Sequence, residues 1–235
     1  MSGLIAIIII TWIAARLFRL PPISDVLGLL PPRRIAGLGG ALFLSVALCC
    51  ASGYLVRSLM ADEFFGFNQN LDPGELASGI AATVLSVLFE ELLFRGVVLY
   101  LLIRKIGEKW AILISSLAFG ALHLNVVSDW GNLPQIVLTL IYPFLLGLVL
   151  AYAFARHGSI ILPIAIHLGW NLVQNVLFSD TPNAGTLLVL IHRPVVIVSY
   201  LEFFMIIAFS KLAAITISFV LVRRSRQSLA EYQKQ

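Results

Sequence analysis

The chain has 235 residues, of which 60% are hydrophobic and only 12% charged, with a formal net charge of +4. A soluble globular domain carries about 25% charged residues, and a surface this apolar would not stay monomeric in water. With a mean hydropathy of +0.97, the solvent that fits the chain is lipid, and a separate soluble domain is excluded.

Residues 3–18 form the first apolar run. Its arginines, Arg16 and Arg19, follow it rather than precede it, so it reads as a retained span and not as a cleaved signal peptide. A connection with Pro21, Pro22, Pro31, Pro32, Arg33 and Arg34 leads to the second run, 36–60, and Asp62, Glu63, Asp72 and Glu75 make the next loop acidic. The third run, 76–103, closes at Arg104 and Lys105. Runs at 110–127, 135–155 and 159–178 follow, the last after the turn Arg156-His157-Gly158. Residues 185–222 are apolar but interrupted by His192, Arg193 and Pro194, and read as an interfacial helix plus one span or as two short spans. At about 20 residues per span, this predicts an all-α polytopic bundle of about seven spans, within a range of six to eight. The bundle forms one membrane domain over 1–235.

Positive charge alternates along the chain. It is dense at 16–34, 104–109, 156 and 223–226, and sparse or acidic at 57–75, 128–134 and 179–184. The positive-inside rule places the first set in the cytoplasm, with the N-terminus outside and the C-terminus inside. These basic loops face anionic lipid, and no basic stripe interleaved with aromatics offers itself to nucleic acid. The two cysteines, Cys49 and Cys50, are adjacent within a span, which excludes a disulfide framework.

A charged residue within a span costs about 2.5–3.5 kcal/mol and generally faces the bundle interior. Glu90, Glu91 and Arg95 are therefore the most informative residues in the chain. Glu91 and Arg95 are four apart with the acid first, the spacing of a direct ion pair that supports a site or knots helices together. Glu90 is turned by about 100° from Glu91 and has no such partner on its own helix. It is placed to take or give a proton, as a general base or acid does.

Three more polar groups lie in neighbouring spans: His123, and the pair His167 and Asn171, four apart on one face. Glu90 is 14 residues from Arg104, His123 is 14 from Lys109, and His167 and Asn171 are 11 and 15 from Arg156. At ~1.5 Å per residue these are depths of roughly 21, 21, 16 and 22 Å, so a carboxylate, two imidazoles and a carboxamide share one layer. A carboxylate beside a histidine holds and deprotonates water, and a second histidine with an amide donates hydrogen bonds to an oxyanion. Ser86, Ser115 and Ser116 lack a triad partner on their own helices, and the zinc signature His-Glu-x-x-His is absent. A metal site built from Glu90, His123 and His167 is the chemical alternative.

Glu90-Glu91-x-x-x-Arg95, Phe119-x-x-x-His123 and His167-x-x-x-Asn171, in this order on successive spans, resemble the CAAX prenyl endopeptidase type II and bacteriocin-processing family, also called CPBP or Abi. The resemblance covers about 75–180, the expected catalytic core. It implies a metal-independent glutamic protease of the membrane with no cofactor. Glu90 and His123 would activate water, His167 and Asn171 would form the oxyanion hole, and Glu91 and Arg95 would support the site. Its substrate would be a membrane-associated protein or peptide, either lipidated or bearing a sorting tail, and the small size resembles a member from a prokaryotic inner membrane. A non-enzymatic peptide-binding or self-immunity protein and a proton-coupled transporter are the competing readings.

Other polar positions take ordinary roles. Glu202 and Lys211 read as an interior or interfacial pair, His192 and Arg193 as interface markers, and His157 as solvated in its turn. Asn175 continues the His167–Asn171 face. Trp170 and Phe119 pack, and Gly96, Gly120 and Gly169 let helices approach closely.

Overall fold

The computed structural model describes residues 9, 12–13, 16–30, 32–127, 130–180 and 183–225. Most of the expected first span lies outside the described residues. Proline, glycine and short polar side chains set the helix ends. Helix α1 (Ile23–Leu27) follows Pro22 and stops at Gly28, which turns left-handed at φ +56. Helix α2 (Arg33–Ala61) follows Pro32. Helix α3 (Pro73–Arg95) opens on proline, whose missing N–H is not needed there, and Asp72 accepts from the Glu75 N–H at 2.8 Å. Helix α4 (Val97–Ile106) leads into α5 (Glu108–Leu122), which tightens into a 3-10 turn at His123–Val126. Asn132 caps α6 (Leu133–His157) by accepting from the Gln135 N–H at 3.1 Å. Helix α7 (Ile161–Leu172) widens into a π turn at Val173–Leu177. Helix α8 (Tyr200–Phe204), a π segment (Met205–Phe209) and α9 (Ser210–Arg224) make one run, opened by a capping box between Ser199 and Glu202.

Among the described residues α2, α6 and the run Tyr200–Arg224 are long and apolar enough to cross a membrane, and Ile161–Leu177 is a shorter apolar helix. The chain is a helical integral membrane protein.

Two expectations from hydropathy are corrected. The third run is two helices, because Gly96 leaves helical geometry at φ −82 and ψ −139; a Cβ there would run into the Leu92 carbonyl. Both sides of the break are apolar, so hydropathy passes over it. Residues 185–222 hold neither two spans nor an interfacial helix before the one span. They open with strand β3 (Leu188–His192), which pairs antiparallel with β1 (Phe64–Phe67) and parallel with the two-residue β2 (Phe178–Ser179). Aromatic and branched side chains favour these strands, but each is too short to show a period of two.

The chain divides into two compact units. The first comprises Met1–Gly39, Leu88–Ala165 and Phe219–Gln235. Its core gathers Leu27, Leu99, Ala111, Ala151, Phe154 and Ile160. Helices α5 and α6 meet closely where Gly120 faces Phe144 and the Leu140 carbonyl. His157, expected in solvent, is buried here: it shares a 2.9 Å hydrogen bond with Ser225, just beyond α9.

The second unit comprises Gly40–Val87 and Ile166–Ser218. Arg57 pairs with Glu63 at 2.6 Å and Asp180 at 2.8 Å, and Arg193 reaches both acids at 3.2 Å. The expected interface marker Arg193 is thus part of an ion network around the sheet. Tyr54 stacks on Phe178 at 4.0 Å beneath it, and the buried Asn68 amide donates to the Asn183 and Thr186 carbonyls at 2.6 and 2.8 Å. On α7, Gly169 lies against α2, where a Cβ would stand 2.6 Å from the Phe43 carbonyl oxygen. Backbone cannot yield as a flexible side chain can, so Gly169→Ala is expected to cost about 1–3 kcal/mol, read as a lower thermal midpoint in detergent. Gly37→Ala on the same α2 helix, where nothing lies within 4 Å of the added carbon, is expected to leave the midpoint in place.

Candidate active site

The last turns of α3 carry Glu90, Glu91 and Arg95 within the first unit. Arg95 Nη1 donates to Glu91 Oε1 at 3.1 Å, and both side chains are 0% exposed. A buried ion pair is stable only when its geometry is good and its remaining donors are satisfied. Arg95 meets this demand in part, through contacts on three helices, while its buried Nε makes no hydrogen bond among the described residues. Its guanidinium lies 4.1 Å above the Phe119 ring of α5 and 5.6 Å from the Phe94 ring of α3, and Nη2 donates to the Gly147 carbonyl of α6 at 3.4 Å. Glu90, one position before Glu91, is half-buried, and its charge also acts on Arg95.

His123 stands where α5 tightens into its 3-10 turn. Its Nδ1 bonds the Phe119 carbonyl at 2.8 Å, and its ring packs on the Phe119 ring at 4.8 Å. A carbonyl can only accept, so Nδ1 donates to it, and in the neutral ring Nε2 is the acceptor. That tautomer presents an acceptor, as water activation requires. Helices α3 and α5 touch one turn from each motif residue. The Phe94 and Phe119 rings meet edge to face at 5.4 Å, and the Ser115 hydroxyl donates to the Phe94 carbonyl at 3.0 Å. Glu90 is four residues before Phe94, and His123 is four after Phe119.

In the second unit His167, 2% exposed, lies 3.2 Å from the Asn171 amide nitrogen through Nε2. An amide nitrogen only donates, so His167 Nε2 accepts and its ring proton sits on Nδ1. One N–H of Asn171 is spent on His167, and the amide carries a second. Asn175 falls within the π turn and is exposed, because the wider turn interrupts the spacing that would have continued the His167–Asn171 face. Glu202 belongs to the Ser199 capping box, its Oε2 accepting from the Ser199 N–H at 2.7 Å.

The six motif residues are thus distributed as Glu90, Glu91, Arg95 and His123 in the first unit and His167 and Asn171 in the second. Among the described residues no group of three His, Cys, Asp or Glu side chains is arranged to hold a metal ion. Sequence reasoning missed Gly147, Phe94 and Ser115. The signal for Gly147 was a small residue within an otherwise bulky apolar span, where only a missing side chain admits the Arg95 fork.

Comparison with known proteins adds an independent line. Residues 72–173 match the family described as Type II CAAX prenyl endopeptidase Rce1-like. An uncharacterised 24.3 kDa protein of Escherichia coli is 32% identical over 131 residues, which is 55% of this chain and 54% of that protein. The match therefore spans about half the length of that curated relative. No solved structure gives a significant match. The segment runs from Asp72, ahead of α3, to Val173, where the π turn begins, and takes in all six motif residues. Residues 72–173 are thus similar to the Rce1-like family, the same family that the three motifs resemble.

Proposed function

We propose that this chain is an intramembrane glutamic endopeptidase that cleaves a membrane-associated protein or peptide, with residues 75–180 as its catalytic core. The observation that carries the reading is the division between two adjacent carboxylates. Glu91 is fully buried against Arg95, whereas Glu90 is half-buried on the next helix face, one turn from the Phe94–Phe119 contact. Glu90 removes a proton from water while His123 Nε2 accepts the water's other hydrogen bond. The oxygen attacks the peptide carbonyl carbon, and the oxyanion takes hydrogen bonds from the Asn171 amide and the His167 ring N–H. Protonated Glu90 then delivers its proton to the leaving amine, which breaks the C–N bond and restores the carboxylate. Water and peptide are consumed, one acid and one amine appear, and no covalent enzyme intermediate forms. The protein sits in a prokaryotic inner membrane with its C-terminus in the cytoplasm, the side on which the basic loops lie.

The test compares protein termini in membranes of the native host carrying wild type or Glu90→Gln at matched expression. Termini present with wild type and absent with the variant support proteolysis and name the substrate and the cut. Identical profiles would rule the enzyme out and leave a peptide-binding or self-immunity protein. Asn171→Ala is expected to lower kcat by about 10²–10³-fold with KM little changed, because the oxyanion exists only along the reaction path. An equal loss in KM would move Asn171 from transition-state to ground-state binding.

A further inference from the structure

We propose that Ser115 is a positioning residue of the reaction: its hydroxyl pins the broken end of α3 to α5 and thereby places Glu90 relative to His123. This deepens the endopeptidase reading above and rests on it.

Helix α3 stops at Arg95 because the chain leaves helical geometry at Gly96. The last four carbonyls of a helix have no donor within it, and in an apolar layer water does not supply one. Phe94 carries one of these carbonyls, and the Ser115 hydroxyl of α5 donates to it at 3.0 Å. Ser115 is 5% exposed, so the bond is closed to solvent. The neighbouring Ser116 shows that crossing between helices is not the default. Its hydroxyl donates to the Ile112 carbonyl of its own helix at 2.7 Å, the local bond a serine within a helix makes. Of these two adjacent hydroxyls, it is Ser115 that reaches the helix of the carboxylates.

Position on α3 decides what the bond controls. Residues four apart share a helix face, so Glu91 goes with Arg95 and Glu90 goes with Phe94. Arg95 pairs with Glu91 and donates to the Gly147 carbonyl of α6, which fixes the Glu91 face. The turn that carries Glu90 is fixed through Phe94. Its carbonyl takes the Ser115 hydrogen bond, and its ring meets Phe119 edge to face at 5.4 Å. Phe119 in turn holds His123, with its carbonyl on Nδ1 at 2.8 Å and its ring at 4.8 Å. Helix α5 is itself seated on α6 where Gly120 faces Phe144, so it is the fixed side of the bond. Without the Ser115 hydroxyl, ring packing alone would locate the Glu90 turn, and packing is less directional than a hydrogen bond. A base must stand within hydrogen-bond reach of its water, and a misplacement of about 1 Å can cost about 10²-fold.

The experiment uses the full chain in phosphatidylcholine vesicles and the substrate named by the terminus comparison. Ser115→Ala is expected to lower kcat by about 10–10²-fold with KM little changed. Ser115→Thr, which keeps the hydroxyl, should recover most of the rate, and Ser116→Ala should leave both constants in place. In a Glu90→Gln background Ser115→Ala should lower the residual rate no further, because a residue that acts through Glu90 then has nothing left to place. An equal loss in both backgrounds would make Ser115 a structural residue alone and overturn the assignment. So would a kcat per folded molecule that Ser115→Ala leaves unchanged, with the protease still standing. Ser115→Cys, whose thiol is a weaker donor, makes the same comparison if the alanine variant does not fold. Should Glu90→Gln leave every terminus in place, both readings fall together.

Discussion

Glu90→Gln is expected to lower kcat by about 10²–10⁴-fold, the range general acid–base catalysis supplies, with the thermal midpoint unchanged. Glutamine keeps the shape and one acceptor oxygen but cannot take a proton from water. Glu90 is half-buried, and Arg95 keeps its direct pair with Glu91 when the Glu90 charge is removed. Glu91→Gln, one residue away, is expected to behave oppositely. It strips the carboxylate from a pair that is 0% exposed on both sides, so stability falls, and turnover per folded molecule falls less. Measuring kcat and the midpoint for both variants separates the roles. A Glu91→Gln enzyme that folds normally and does not turn over would exchange them.

Arg95→Leu is expected to be the most damaging change to the fold, at about 3–5 kcal/mol, since it leaves the Glu91 carboxylate buried without its cation. Native stability is itself only about 5–15 kcal/mol, so little folded protein should remain at elevated temperature. The size of the effect follows from geometry: one guanidinium pairs with Glu91, covers the Phe119 ring and donates to the Gly147 carbonyl. Arg95→Lys should rescue only part of the loss, because an ammonium lacks the planar fork that stacks and donates at once. The double variant Glu91→Leu with Arg95→Leu should be markedly more stable than Arg95→Leu alone, as buried pairs replaced by apolar residues often are. Unfolding of wild type, Glu91→Leu, Arg95→Leu and the double variant in detergent completes the cycle. A double variant no better than the single one would mean that Arg95 acts by packing and not by charge.

The features visible before the fold was known are those that depend on near neighbours along the chain. Composition alone demands a membrane, since no burial scheme hides 60% hydrophobic residues in water. The Glu91–Arg95 pair is legible because four residues bring side chains together on any helix. The same holds for His167 with Asn171 and for His123 with the Phe119 carbonyl. The match over 72–173 takes in that same ordered set of local spacings.

What escaped depends on partners distant in sequence. The sheet joins residues 64–67 to 188–192, and its ion network joins Arg57 to Asp180; neither segment announces the other. His157 looked solvated because it stands in a polar turn, yet Ser225 closes over it. Asn175 looked like part of a helical face until the π turn changed the spacing. The break at Gly96 is set by how closely the chain passes the Leu92 carbonyl, and Arg95 finds its third contact on a helix 52 residues away. Hydropathy and helical spacing are properties of a segment, and they settled the solvent, the helices and the paired side chains. Burial of a polar group and the breaking of a helix depend on which distant backbone comes alongside, and three-dimensional packing alone sets that.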